Sequence, residues 1–366
     1  MLYSTPLRYR RYIYALLMIL IMVGCAEGLA EREIIFPEMA ALAIGMWVVD
    51  KRVWHCNKWK MLLAMSLCSV TGVLIVRYSP FPLLGNIALA FSFAAIHLTL
   101  SRTTLIPQVS AIILPILLKT NSWVYPAAVI IMSLIIILGQ YLMEKKQLRT
   151  PIEYTPVKIY WRPVLLSWTF LLFTVLSVAS LAIYTNNIYF ILPPLIVTYI
   201  EFAHSKAGFH NRPVQILLTL FAASLLGSLC QWFGYYQWHL PEFLIALCII
   251  GPLFLLFELS GKPFAPAGAV ALIHLLLPPE DLLWLPIQVF IGASLFISIA
   301  MLCFQKCYNW TRPQLIVCFL PAFIRNLRKH KSADEKIPPH FLYFFPVSLD
   351  FIENPLYLYP LKAKVL

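Results

Sequence analysis

Apolar residues in this chain come as long uninterrupted runs, not as stripes on one face of a helix or as alternating strand positions. Residues 126–143, 164–184 and 282–304 pass without a single charge. A helix that crosses a bilayer needs about 20 mostly apolar residues, and these runs reach that length. The pattern predicts twelve apolar segments, at 12–30, 34–50, 60–78, 82–100, 103–119, 123–143, 163–184, 189–203, 213–232, 242–260, 264–279 and 282–304. Segments two, five, eight and eleven are short and interrupted by proline. They either cross the membrane or re-enter it.

Composition excludes a soluble fold. The chain of 366 residues is 61% hydrophobic and 12% charged, with a mean hydropathy of +0.79. A soluble domain is about half apolar and about a quarter charged. The expected class is therefore an all-α integral membrane protein in the cell membrane.

The net charge of +12 first suggests nucleic acid, but the basic residues sit in short loops between apolar runs. That placement follows the positive-inside rule. If all twelve segments cross and the N-terminus is cytoplasmic, all but three of the 28 Lys and Arg fall inside. The exceptions are Arg32, Arg77 and Lys119. A re-entrant segment two would turn Lys51, Arg52, Lys58 and Lys60 outward, so the charges favour twelve crossings with both termini cytoplasmic.

Arg8, Arg10 and Arg11 followed by an apolar run to Cys25 have the outline of a signal peptide. The equivalent run at 164–184 argues instead for an uncleaved first span. Residues 306–366 read as a cytoplasmic tail. Its run Leu315–Ile324 is too short to span and is followed by Arg325, Arg328, Lys329 and Lys331, which suits an interfacial helix or a disordered tail. The sequon at Asn309 would lie inside and is discounted. None of the eight cysteines forms a CxxC pair, and they read as small core residues.

The two halves resemble each other. Phe36-Pro37-Glu38-Met39 aligns with Leu192-Pro193-Pro194-Leu195, Gly72 with Gly227, Thr99-Leu100-Ser101 with Glu258-Leu259-Ser260, and Pro107 with Pro266. The offset drifts by a few residues, at loops. The expected organisation is two six-segment repeats, at 1–150 and 151–305, followed by the tail. Six crossings per half give the repeats parallel orientation. A fainter echo within each half, Pro37 before Ala40 and Ala41 against Pro107 before Ser110 and Ala111, has the form of an inverted repeat.

Segment eleven reads KPFAPAGAVAL from Lys262 to Leu272. Proline interrupts the helix, and Ala265, Ala267, Gly268 and Ala269 let a second backbone approach. A helix that begins inside the membrane offers free N–H groups to an anion.

Here the chain resembles the HPP family of integral membrane proteins, whose members carry a histidine-Pro-Pro-Ala-Gly-Ala-Thr-Ala-Leu run. Pro266-Ala267-Gly268-Ala269-Val270-Ala271-Leu272 matches most of it, with Phe264 and Ala265 in place of the histidine and first proline. In the first half Ser101-Arg102-Thr103 fits the preceding turn, and Leu105-Ile106-Pro107-Gln108-Val109 keeps one proline. Pro193-Pro194 resembles the family's earlier proline pair, with His210-Asn211-Arg212-Pro213 downstream. The resemblance implies two divergent tandem copies. Some family members are linked to nitrite transport, so it also implies passage of a small solute. The alternative reading of Pro-Ala-Gly-Ala is a tight helix-packing seam.

Ionisable residues inside a membrane are functional candidates. Glu38 and Glu258 each adjoin a broken segment. Arg77 and Glu201 lie near segment ends and are expected to snorkel. His97 and His274 read as buried, hydrogen-bonded imidazoles. No phosphate-binding loop, HExxH, GxSxG or haem signature is present, and neither an enzyme nor a cofactor is expected. The candidate substrate-binding residues are Pro37, Glu38, Pro107, Gln108, Ser110, Pro193, Pro194, Glu258, Pro266, Ala267, Gly268 and Ala269. The expected function is a transporter or channel for a small solute. Expected partners are the lipid bilayer, a small solute or ion and a second copy of the chain, and not nucleic acid. A membrane scaffold is the competing class, ahead of an intramembrane enzyme.

Overall fold

Proline sets the rhythm of the fold. The computed structural model describes residues 6–50, 52–151, 154–157, 161–204, 213–261 and 263–308, and every regular element among them is helical. Long helices alternate with short ones: α1 (Pro6–Gly28), the short α2 (Glu38–Ala43), α3 (Lys58–Tyr78), α4 (Leu83–Ser101), the short α5 (Pro107–Leu118) and α6 (Val124–Lys145). The order then recurs as α7 (Trp161–Tyr184), the short α8 (Pro193–His204), α9 (Pro213–Leu229), α10 (Glu242–Ser260), the short α11 (Ala265–Leu272), a single turn α12 (Pro279–Leu282), and α13 (Leu285–Tyr308). Lys51, Lys158, Lys206, Arg212, Lys262, the loop at 210–212 and everything from 309 on, with the tail's apolar run and sequon, lie outside the described residues.

Each short helix begins at proline. Pro107 and Pro193 open α5 and α8, Pro266 stands in the first turn of α11, and Pro37 immediately precedes α2. Proline suits the first turn because its missing N–H has no intrahelical partner there anyway. A helix of 12 residues such as α5 is about 18 Å long, well short of the roughly 30 Å of a hydrocarbon core. Two helices loosen into π turns, at Ile44–Val48 after α2 and at Cys230–Gln237 after α9.

Among the described residues eight helices are long and apolar enough to cross a membrane. Their outward faces carry large apolar side chains such as Leu63, Leu138, Leu165, Phe173 and Leu218. The interior holds Glu38, Gln108, Ser110, Gln140, Glu201, Gln231 and His274, all buried. This inverts the arrangement of a soluble protein and suits a multi-pass membrane protein, since water would not tolerate so large an apolar surface. The four short helices are treated differently. Almost every described side chain of α2, α5, α8 and α11 is buried, so the long helices enclose the short ones.

Some local geometry of the first half recurs in the second. After α1 the chain turns at Ala30 with φ 53°, and Glu31 N–H bonds the Ala26 carbonyl at 2.9 Å. After α7 it turns at Asn186 with φ 53°, and Asn187 N–H bonds the Ala182 carbonyl at 2.8 Å. Both are left-handed helix caps that satisfy a terminal carbonyl. Helix α4 closes on a left-handed Arg102 and α10 on a left-handed Gly261. Gly72 lies against the backbone of α5 at Ile112, and Gly227 against the segment from Ala271 to His274.

One expectation from the sequence needs correction. Cys56 and Cys68 are buried, but Cys25 and Cys248 are exposed and Cys230 is partly so. In a bilayer the outward face is as apolar as the core, so an apolar run does not say which way a small thiol points.

Gly227 provides a test of the seam. A Cβ there would fall 2.5 Å from the Ala271 carbonyl and into the His274 ring, whereas one at Gly251 meets nothing within 4 Å. Gly227→Val should cost about 1–3 kcal/mol of stability. Gly251→Ala should be neutral. Thermal unfolding of the detergent-purified protein measures both.

Candidate functional site

The four short helices meet each other in the core. Helix α2 packs on α11 and α5 on α8, and these pairs join through α2–α5 and α8–α11 contacts. Breaking a helix inside a membrane frees backbone groups that need partners, which is tolerable only where protein surrounds the break. Burial of the short helices supplies those surroundings.

At this junction Ser110 of α5 donates a hydrogen bond to Oε1 of Glu38 on α2. Glu38 is 1% exposed, and its Oε2 has no hydrogen-bond partner among the described residues. No cation among the described residues pairs with it. A buried charge without a counter-ion costs several kcal/mol, so the free oxygen is a place where a proton or a bound group changes the energy of the site. Tyr125 stands nearby, its hydroxyl donating to the Ala111 carbonyl at 2.9 Å and its ring edge-on to Phe36.

The other candidates divide into distinct places. Gln108 faces α4, donating to the Ala94 carbonyl at 3.1 Å and meeting Nδ1 of His97 at 3.0 Å. It ties α5 to α4 and does not join Glu38. Pro37, Pro107, Pro193, Pro194 and Pro266 set the starts of the short helices, and Thr198 returns a hydrogen bond to the Pro194 carbonyl at 2.8 Å. Ala267, Gly268 and Ala269 are fully enclosed. A Cβ on Gly268 would collide with Ile44 Cδ1 and come within 3.3 Å of Ala40 Cβ, so this face of α11 is filled by α2. Glu258 sits apart, 3.5 Å from Nε of Arg8.

Glu201 departs from its expected role. It does not snorkel: it is 6% exposed and accepts a hydrogen bond of 2.8 Å from Nε1 of Trp54. Its position near the end of α8 suggested the interface, but the loop after α2 folds over that end and carries Trp54 with it. Arg77 does reach outward, bonding the Asn121 carbonyl and stacking over Trp123. His274 is fully buried between Ser224 Oγ at 3.2 Å and the Ala271 carbonyl at 3.1 Å. His97 is hydrogen-bonded as expected but only partly buried.

A second polar centre was not singled out from the sequence. Asp50 pairs with Arg11 at 2.5 Å and with Arg8 at 3.8 Å, and its carbonyl accepts from Arg149 at 3.2 Å. Arg52 donates to the carbonyls of Thr150 and Pro151. The signal in the sequence was a lone acid among loop cations, where charge counting for topology hid it. No family model matches the chain, and no curated protein or solved structure matches it.

The Glu38 pair is open to direct measurement. Ser110→Ala removes the side-chain donor to the Glu38 carboxyl and should cost about 1–3 kcal/mol. Glu38→Gln retains an acceptor for Ser110 and should cost less. Chemical or thermal unfolding in one detergent ranks the two.

Proposed function

We propose that the chain is a membrane transporter or channel for a small solute, with small anions the first class to test. The route would follow the junction of the proline-started short helices. The observation that carries this reading is the junction of four enclosed short helices, where α2 and α5 bring a buried carboxyl with a free oxygen against Ser110. Broken helices have a use in transporters, because their ends present backbone groups to a solute near the bilayer midplane.

The same proposal takes the chain as two parallel six-segment repeats with twelve crossings and both termini cytoplasmic. The matched caps at Ala30 and Asn186, the paired seams at Gly72 and Gly227 and the recurring order of long and short helices support the duplication. The charge asymmetry of the loops supports the sidedness. The likeness of 266–272 to the HPP run supports a solute pathway in that family's manner.

One observation favours the competing scaffold reading. Ile44 fills the space over Gly268, so the α2–α11 face is closed. A transporter must part this seam during its cycle, whereas a scaffold never does.

Two measurements follow. A cysteine introduced at Asn187 should react with an impermeant thiol reagent from outside intact cells, and one at Lys146 should not. The reverse pattern overturns the sidedness. Proteoliposomes should take up at least one of nitrite, nitrate, chloride, phosphate or hydrogencarbonate faster than protein-free liposomes. Glu38→Gln should alter that flux by about ten-fold or more, the scale of removing a charged group from a buried site. No flux above background for any of these anions would favour the scaffold.

A further inference from the structure

A carboxyl group has two oxygens, and at Glu38 they are not equivalent. Oε1 accepts a hydrogen bond from the Ser110 hydroxyl, whereas Oε2 has no hydrogen-bond partner among the described residues. The residue is 1% exposed, so bulk water does not reach the second oxygen.

The elements packed against α2 bring no cation to this carboxyl. Helix α11 and the π turn at Ile44–Val48 carry no ionisable side chain. Nor does α5, whose Ser110 is neutral. On α6 the phenol of Tyr125 lies within the field of Glu38, with the thiol of Cys68 on α3 beyond it. The Tyr125 hydroxyl donates to the Ala111 carbonyl. The remaining ionisable residues of α6 stand at its other end, where Glu144 pairs with Lys58. On α1, Tyr9, Arg10, Tyr14, Cys25 and Glu27 are exposed, and Arg8, Arg11 and Tyr12 gather at Asp50 and Glu258. Arg32, the cation nearest in sequence, is held by Glu242 at 3.2 Å.

An ionised carboxylate enclosed without a cation is costly. A bound metal cation or a proton would remove that cost. A hard metal cation takes about six oxygen ligands, and neither α11 nor the π turn has a side-chain oxygen to give. A proton needs only the carboxyl itself, and an enclosed neutral acid can then serve as a hydrogen-bond donor. Ser110 fixes the place of that proton. With Oε1 engaged as an acceptor, the proton sits on Oε2, where it meets no acceptor among the described residues. An anion entering the junction supplies the missing acceptor. Without the proton, the same anion meets a carboxylate and is repelled. Proton and anion therefore favour each other's binding, and such coupling is reciprocal.

We propose that Glu38 is a proton-binding site and that the chain carries a small anion together with a proton, the Oε2 proton being donated to the anion as a hydrogen bond. The proton joins Oε2 from one side of the membrane and leaves to the other. No covalent bond to the anion forms, and nothing is oxidised or reduced. The coupling rests on the transport function proposed for this junction, whereas the protonation of Glu38 does not.

Difference infrared spectra of the full-length protein in lipid at neutral pH should show a protonated-carboxyl band that Glu38→Gln removes and Ser110→Ala shifts. Proteoliposomes enclosing a pH-sensitive dye are then given nitrite, nitrate, chloride, phosphate and hydrogencarbonate in turn, with protein-free liposomes subtracting the leak of neutral acids. Entry of whichever anion is carried should bring a proton with it, and an acid exterior should speed that entry. Glu38→Gln should lose the accompanying proton entry. A spectrum without the band overturns the protonated Glu38, whatever the flux. Anion entry without proton entry overturns the coupling and leaves the transport function standing. No entry of any of these anions removes the transport function and the coupling with it. Should Glu38→Gln fail to fold, the Ser110→Ala shift assigns the band and the proton-to-anion ratio of the unaltered protein decides the coupling.

Discussion

A backbone inside hydrocarbon has to satisfy every N–H and C=O within protein, and the layout of this chain depends on that constraint. Helices of full length meet it alone and can face lipid on one side. Helices cut short by proline cannot, because each end leaves groups without an intrahelical partner. The structure resolves this by enclosure. Eight long helices stand outside with Leu63, Leu138 and Leu165 exposed, and α2, α5, α8 and α11 lie inside. The interior then becomes the one place where Glu38, Ser110 and Glu201 can reside. Apolar outside and polar inside are two results of one requirement.

That enclosure sets what can be close to what. Gly72 and Gly227 let long helices lie close against short ones, and Gly268 lets the short α11 lie close against α2. The closeness brings α5 within reach of α2, so that Ser110 meets Glu38. The loop after α2 is pulled over the end of α8, which buries Glu201 under Trp54 and gathers arginines around Asp50. The polar centres are thus products of tight packing between broken helices, not independent additions to a bundle.

Much of the fold was legible in the sequence, because bilayer length and charge-free runs are crude, strong signals. The apolar segments and the four short ones among them reappear as helices close to their expected bounds, and proline at 37, 107, 193 and 266 marks where the short ones begin. Side-chain direction was not legible. In a run apolar on every face, periodicity carries no information, so the outward Cys25 and Cys248 looked like core. Glu201 was misread because distance from a segment end says nothing about a loop that folds back over it. Of the candidate residues, Glu38 and Ser110 meet, whereas Gln108 and Glu258 serve separate contacts. The arginine cluster escaped notice because the same charges that report topology can also be buried, and only packing tells the two apart.

Enclosure of the broken helices is the claim on which the rest depends, and lipid contact measures it directly. The full chain can be reconstituted with a phospholipid whose acyl chain carries a photoactivatable group, illuminated, digested and mapped by mass spectrometry. The account predicts cross-links on the outward faces of the long helices, at Leu63, Leu138, Leu165 and Leu218, and none within α2, α5 or α11. Cross-links along those short helices, at a yield comparable to the long ones, would contradict it.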